Sequence, residues 1–408
     1  MKTKFALIAA VSAIGFATPA VAKVGDPIAL GEDVSLDIIA NARLRYEMVE
    51  QDNALDDANA VTLRGRLGAE LTVSSFKFLA EGEGSVALVD DYNDTLPGNG
   101  VEPYSVVADP ENLELNRLQL SYAKGGYTLT VGRQRIIYDN ARFVGNVGWR
   151  QNEQTFDAVR GQAKIGPVSL DATYSISQRT IFGVDSPREA MDGDLILLNG
   201  GFDLGVVKLK SFAYLLDYDA GQAFNSLPFS SQTYGVLATA SIPLGIAKLD
   251  LVASVATQSE LGLNPVSYTT DYYNLEAAVG WAGFTLKAGY EELGSDGGIT
   301  SFQTPLATLH AFNGWADMFL TTPASGLRDY YGSIGKGFSV PGVGKFNALV
   351  VYHEFDSDTG GLGYGSEWDA QVGFKVGPVG LLVKYANYNA EGFGIDTKKL
   401  WLQAEYSF

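Results

Sequence analysis

Cysteine is absent from the 408 residues, and histidine is reduced to His310 and His353. Without them the usual ligand sets for zinc, a thiol nucleophile, a disulfide framework or a c-type haem attachment cannot be assembled. Proline is sparse, 14 residues against 47 glycines. Glycine at about 11.5% stands above the roughly 7% of average usage, and with so little proline the excess is not linker composition. Positive charge is also scarce, 29 Lys+Arg against 47 Asp+Glu for a formal charge of −18. That sign repels nucleic acid, so no nucleic-acid partner is expected. Beyond the N-terminus no apolar run approaches the ~18 residues of a membrane-spanning helix.

The first 22 residues read as a cleaved signal peptide. Lys2 and Lys4 form its basic start, Phe5 to Ala17 its apolar stretch, and Ala20-Val21-Ala22 the small residues of a cleavage site. Cleavage leaves 386 residues at −20. Residues 23–33 are then expected as a short periplasmic N-terminal segment and 34–408 as one further unit. An exported chain without helical spans either stays soluble or enters a membrane as β-strands.

What fills residues 34–408 is alternation at period 2. In KLDLVASVATQ (248–258), Leu249, Leu251, Ala253, Val255 and Thr257 share one face and Lys248, Asp250, Ser254 and Gln258 the other. Eighteen such segments can be placed, from 34–48 to 396–408, with one at 126–137. Connections alternate between tight Gly- or Pro-marked turns (Lys124-Gly125-Gly126, Ile165-Gly166-Pro167, Gly377-Pro378) and longer polar loops. Short turns at one end and long loops at the other define an all-β, transmembrane, up-and-down antiparallel β-barrel of about 18 strands in the bacterial outer membrane. The chain ends on Phe408 of an apolar-out strand. Tyr46, Tyr92, Tyr127, Tyr138, Tyr218, Tyr234, Tyr290, Tyr352 and Tyr388 fall near strand ends, where their rings are expected at headgroup depth.

Phase assigns the lumen. Asp37, Asn41, Arg43, Arg45 and Glu47 point inward from the first strand, Arg64, Arg66 and Glu70 from the second, Lys77, Glu81 and Glu83 from the third, and Arg117, Gln119 and Ser121 from the fourth. Ten of the 13 arginines (Arg43, Arg45, Arg64, Arg66, Arg117, Arg133, Arg135, Arg142, Arg150 and Arg160) lie between residues 43 and 160. They form a basic wall suited to carboxylates, because a guanidinium is always charged and donates two parallel hydrogen bonds. The alternative is that they pair with Glu47, Glu70, Glu81, Glu83, Glu114 and Asp157 and stiffen the wall. Arg133 and Arg135 break the alternation, sharing a face with Leu129 and Val131, so a bulge or an early departure of the chain into the lumen is expected there.

The stretch VGRQRIIYDNARFVGNVGWRQNEQTFDAVR (131–160), with LRYE (Leu44 to Glu47) and TLRGRLG (Thr62 to Gly68), resembles the alginate export family of outer-membrane channels. The resemblance is taken to span the mature chain. It implies a monomeric 18-stranded barrel with an arginine-rich pore for anionic polyuronate, Arg133, Arg135 and Arg160 at the constriction, and Arg43, Arg45, Arg64, Arg66 and Arg117 on the approach. The expected function is passive passage of anionic saccharides, alginate-like polyuronates or oligouronates, or other small anions. The alternative is a general diffusion porin with little solute specificity.

Other chemistries have weaker support. A barrel hydrolase needs Ser, His and an orienting acid on the outer wall, and only His353 lies on a strand, with no serine at a suggestive spacing. His310 falls in a long loop and is expected to be solvated. The acidic runs 90–94 and 356–360 match no defined calcium-loop spacing and read as solvated loop tips. No enzyme, cofactor or metal is therefore expected, and the partners are outer-membrane lipid and an anionic solute.

Overall fold

The computed structural model describes residues 26–342 and 344–408. The expected signal peptide lies outside the described residues. Eighteen strands form the wall: β1 (Val34–Gln51), β2 (Ala58–Val73), β3 (Phe76–Asp91), β4 (Asn112–Lys124), β5 (Tyr127–Gln134), β6 (Thr155–Ile165), β7 (Val168–Arg179), β8 (Ala190–Asp203) and β9 (Val207–Tyr218). They continue as β10 (Ser231–Leu244), β11 (Ala247–Glu260), β12 (Thr269–Trp281), β13 (Phe284–Leu293), β14 (Leu327–Val340), β15 (Gly344–Asp356), β16 (Gly363–Val376), β17 (Val379–Ala390) and β18 (Thr397–Ser407). Each pairs antiparallel with its sequence neighbour, and β18 closes on β1 from Asn41↔Ser407 to Gln51↔Thr397. The wall is a closed up-and-down barrel. Within the N-terminal segment, Ile28–Gly31 folds back as a short strand on Val34–Leu36.

The tight turns account for some of the glycine. Gly126 has φ +87°, and a Cβ there would lie 2.7 Å from the Lys164 carbonyl oxygen. A side chain would collide with the neighbouring hairpin in a conformation L-residues avoid.

Alternation holds in three dimensions. On β11 Ala253, Val255 and Thr257 are exposed while Ser254, Ala256 and Gln258 are buried. Aromatic side chains encircle the short-turn end (Phe76, Tyr127, Phe202, Trp281, Phe408), and a second set lies toward the loops (Tyr174, Tyr234, Tyr273, Tyr330, Trp368), all exposed on the outer face. Trp281 and Tyr273, eight residues apart on β12, are about 26 Å apart along the strand and about 20 Å along an axis tilted by roughly 40°, close to the apolar band of an outer-membrane barrel. The girdle expected from strand-end tyrosines is only partly formed by them. Tyr92, Tyr138, Tyr218 and Tyr388 are buried, packed inside, because the loop end of the lumen is filled.

Two loops do the filling. Loop A (residues 135–154) follows β5, and loop B (residues 294–326) follows β13. Their Ile136, Val144, Phe302, Leu306, Trp315 and Phe319 pack against lumen-facing Leu195, Phe212, Tyr272, Phe355 and Trp401 in one apolar cluster. Each such side chain gains about 1.5–3 kcal/mol on burial, which offsets some of the entropy of ordering the loops. The loops also bond to each other, Gly145 N donating to Leu306 O at 2.8 Å and Val147 N to Thr308 Oγ1 at 3.1 Å.

Where loop A leaves the wall, the rim steps down. The pairing of β4 with β5 stops at Leu118↔Arg133, so Asn112–Arg117 of β4 have no β5 strand residues beside them. The segment expected as strand to residue 137 ends at Gln134 because the chain turns inward there.

Candidate pore constriction

The first four strands place Arg43, Arg45, Arg64, Arg66 and Arg117 inward, as their phase requires, and each meets a carboxylate. Arg43 and Arg64 both reach Glu405 of β18 at 3.0 Å. Arg45 lies 3.7 Å from Asp109, Arg66 pairs with Glu83, and Arg117 pairs with Glu81 at 2.7 Å. Further round the wall Arg160 pairs with Asp171 of β7 at 2.6 Å. At Glu81/Gly82 the β3–β4 register shifts, and the bulge turns neighbouring Asn116 and Arg117 to the same Glu81.

Loop A is seated on this basic side. The Arg43 Nη1 donates to the carbonyl oxygens of Gly148, Trp149 and Arg150 at 3.0–3.2 Å. Glu153 is the loop's own anchor: it accepts from Arg135, from Asn116 at 2.7 Å and from Asn146 at 2.8 Å, with Arg66 at 3.5 Å. Burial works against its charge, but Arg66 and Arg135 outweigh it and hold the carboxyl down at about 2. Arg150, buried in loop A, reaches Glu47 and Asp317 at 3.1 Å each, and Arg142 reaches Glu291 of β13 at 2.7 Å. Both cross the lumen and act as struts.

Loop B is seated mostly by acids. Asn313 donates to Glu291 and Asp329, Ala316 N to Glu367 at 2.7 Å, and Trp315 N to Asp369 at 3.3 Å. His310 is not solvated as expected but buried in the hub where both loops meet the wall. The Lys384 Nζ donates to its Nε2 at 2.7 Å, and its Nδ1 faces Asp317 Oδ1 at 2.7 Å. An ammonium has only donors, so Nδ1 carries the imidazole proton. Burial holds His310 well below its usual range despite Asp317. Burial also opposes charge on Asp317, yet His310, Lys399 and Arg150 keep it well below the carboxylate range. The Lys384 ammonium further lies 3.7 Å from the Trp315 ring centroid, 4.2 Å from Trp149 and 5.5 Å from Trp401. These cation–π contacts cost little solvation once the site is dry.

One expected constriction residue lies elsewhere. The β5–β6 register stays regular through Arg133↔Asp157, so Arg133 follows Leu129 and Val131 onto the outer face and not into the lumen. There it clamps Asp157 at 2.8 Å and the free Leu115 carbonyl of β4 at 3.1 Å, bridging the step in the rim. Arg135, two residues on, does turn inward to Glu153. Residues the sequence did not single out, Glu153, Asp317, Lys384, Trp149 and Glu405, prove central to the seat of the loops. His353 faces the interior, 2.9 Å from Asp329, and not the outer wall that a barrel hydrolase would use.

Fold and site together define a transmembrane β-barrel whose lumen is narrowed by two inward loops on a charged wall. Residues 34–177, β1 through most of β7, match the family model described as alginate export. The chain is similar to that family over this stretch, which is shorter than the mature-chain resemblance expected. No curated protein matches the chain. Among solved structures it is similar to Pseudomonas aeruginosa OccK9 (OpdG), at 13% identity, TM-score 0.71, over 91% of this chain and 98% of that one. The outer membrane protein opdK of the same organism gives 14%, 0.69, 91% and 98%, and OccK8 (OprE) 15%, 0.65, 91% and 98%. At these identities the likeness establishes the barrel fold.

Proposed function

We propose that this chain is an outer-membrane channel, working as a single barrel, through which small anionic solutes such as sugar acids pass down their gradient. The observation that carries the reading is the convergence of Arg43 and Arg64 on one carboxylate, Glu405, which remains 27% exposed. Two guanidiniums share one acceptor, so the site keeps a net positive charge; Arg64 is fully buried behind it and Arg43, one-tenth exposed, is the guanidinium that a solute meets beside Glu405. A solute carboxylate supplies the bidentate acceptor such a pair takes. Competition from Glu405 keeps the hold weak enough for release. Arg66, Arg117, Arg135 and Arg160 offer further paired positions along the wall, while Arg142 and Arg150 hold the loops. The packed loop end favours a solute of sugar size over a long polyuronate.

The test is single-channel conductance of refolded protein in a planar bilayer, with ion selectivity and then current block by glucuronate or an oligouronate against a neutral oligosaccharide. Anion selectivity with uronate block, weakened in Arg43→Ala and Arg64→Ala, is the expected result. Cation selectivity without such block refutes it. The second reading, a general diffusion porin, is favoured by one observation: all ten arginines of the basic wall lie within 4 Å of a carboxylate.

A further inference from the structure

Residues 313–316 of loop B rest on a buried row of acids, Glu291 of β13, Asp329 of β14, and Glu367 and Asp369 of β16. Glu367 and Asp369 lie on the same face of one strand, and their carboxyls are hydrogen-bonded to each other. Among the described residues Glu367 Oε2 and Asp369 Oδ1 have no other donor. Carboxylates in contact cannot both ionise, so a shared proton holds the pair together.

The charges around the pair depend on that proton. Arg142 of loop A serves Glu291 at 2.7 Å, His353 of β15 lies 2.9 Å from Asp329 and 3.8 Å from Asp369, and Lys384 of β17 interacts with both members of the pair. From loop B, His310 meets Lys384 through its uncharged Nε2, and Asp317 is matched by Lys399. Tyr388 of β17, opposite Glu367, commits its hydroxyl to the carbonyls of Tyr364 and Phe393. With one proton on the pair and one on His353, the four acids are balanced by Arg142, Lys384 and His353; with both protons gone, two negative charges are left over in a dry site. Such a surplus is too costly to keep buried. The loop has no slack to absorb it, since Gly314 has φ +84° and a Cβ there would collide with the Glu367 carboxylate.

We propose that this seat is a proton-controlled latch on loop B. Protonated, it holds Asn313–Ala316 in the lumen; deprotonation drives Glu367 and Asp369 apart, lifts the segment and widens the channel. The seated loop holds protons that the lifted loop gives up, so seating is complete toward acid and is lost as pH rises. The proposal rests on the channel reading above for its effect on flow, but not on the preference for anions.

The experiment is single-channel conductance at constant salt from about pH 5.5 to about pH 9, a range that spans histidine titration. It is paired with acrylamide quenching of tryptophan emission in detergent-refolded protein, which needs no ion flow and senses Trp315 in the seated segment. In wild type both readouts are expected to rise at least twofold with pH. Glu367→Gln and Asp369→Asn, each first checked for the heat-modifiable mobility of a folded barrel, supply a permanent donor and are expected to stay at the acid level throughout. Gly314→Ala is expected to show the alkaline level at every pH. The proposal is overturned if neither wild-type readout changes, if both fall as pH rises, or if both folded amide variants titrate like wild type. It is also overturned if Mg²⁺ and a chelator at fixed pH reproduce the change, a divalent cation then holding the pair. Quenching that follows pH in a protein without current leaves the latch standing while the channel reading fails, and a current with both readouts independent of pH does the reverse.

Discussion

Glu153→Gln is the substitution that most directly tests whether loop A is clamped electrostatically. Its carboxylate is about 1% exposed and serves Arg135, Asn116, Asn146 and Arg66. The fall of its pKa from 4.5 to about 2 corresponds to about 3 kcal/mol favouring the ionised folded form. Removing one partner of a buried pair costs about 3–5 kcal/mol by an independent route. The two agree on a loss of about 3 kcal/mol. The sign with pH follows: the stabilisation is complete above about 4.5 and is lost as pH falls through about 2. The variant is expected to unfold at lower urea, read by heat-modifiable mobility, and to show larger, noisier single-channel conductance as loop A loosens. Wild type taken from pH 6 toward pH 2 is expected to approach the variant's stability, whereas the variant lacks that component. A variant within about 0.5 kcal/mol of wild type and with unchanged conductance would refute the clamp.

Arg133→Ala removes the outer-face bridge from Asp157 to the Leu115 carbonyl; because the pair is partly exposed it is expected to destabilise the barrel by about 1 kcal/mol or less while ion selectivity in the bilayer stays at the wild-type value. Asp317→Asn takes the carboxylate from buried Lys399 and one of the carboxylates from Arg150, which keeps Glu47, and a loss of about 3–5 kcal/mol is expected in urea titration. Lys384→Met keeps volume but removes the ammonium from three indole faces and from His310. Its expected signature is a shift in tryptophan emission with increased conductance fluctuation.

The wall was legible because period-2 alternation is local. Each of the eighteen segments read from the pattern is a strand, and the inward phase of Arg43, Arg45, Arg64, Arg66 and Arg117 holds. The filling of the lumen was not legible in the same way. Alternation says that Tyr138 or Tyr388 lies near a strand end, but not whether a distant loop covers it. Loop A was marked by its break in pattern at Arg133 and Arg135, although Arg133 itself stayed with the outer face because the ladder to β6 is unbroken. Loop B gave only its length as a hint. Its seat depends on pairs far apart in sequence, such as Arg150 with Asp317 and Ala316 N with Glu367. Partners at that range, Glu405 for Arg43 above all, decide whether an arginine is a bare charge or half of an ion pair, and no local pattern encodes them.

A closed cylinder of strands is meant to leave no edge for another chain to add to, yet this one retains a short one. Along Asn112–Arg117 of β4 the neighbour is not a ladder but the Arg133 guanidinium and the 180–189 loop, whose Val184 N donates to the Asn112 side chain at 3.2 Å. A ladder is cooperative, each bond aligning the next, whereas side-chain staples release independently of each other. The wall therefore carries its own tear line, and during assembly this is where closure depends on separate staples, Arg179 to Glu114 at 3.8 Å and Asn116 to Glu153 at 2.7 Å among them, instead of a zipper.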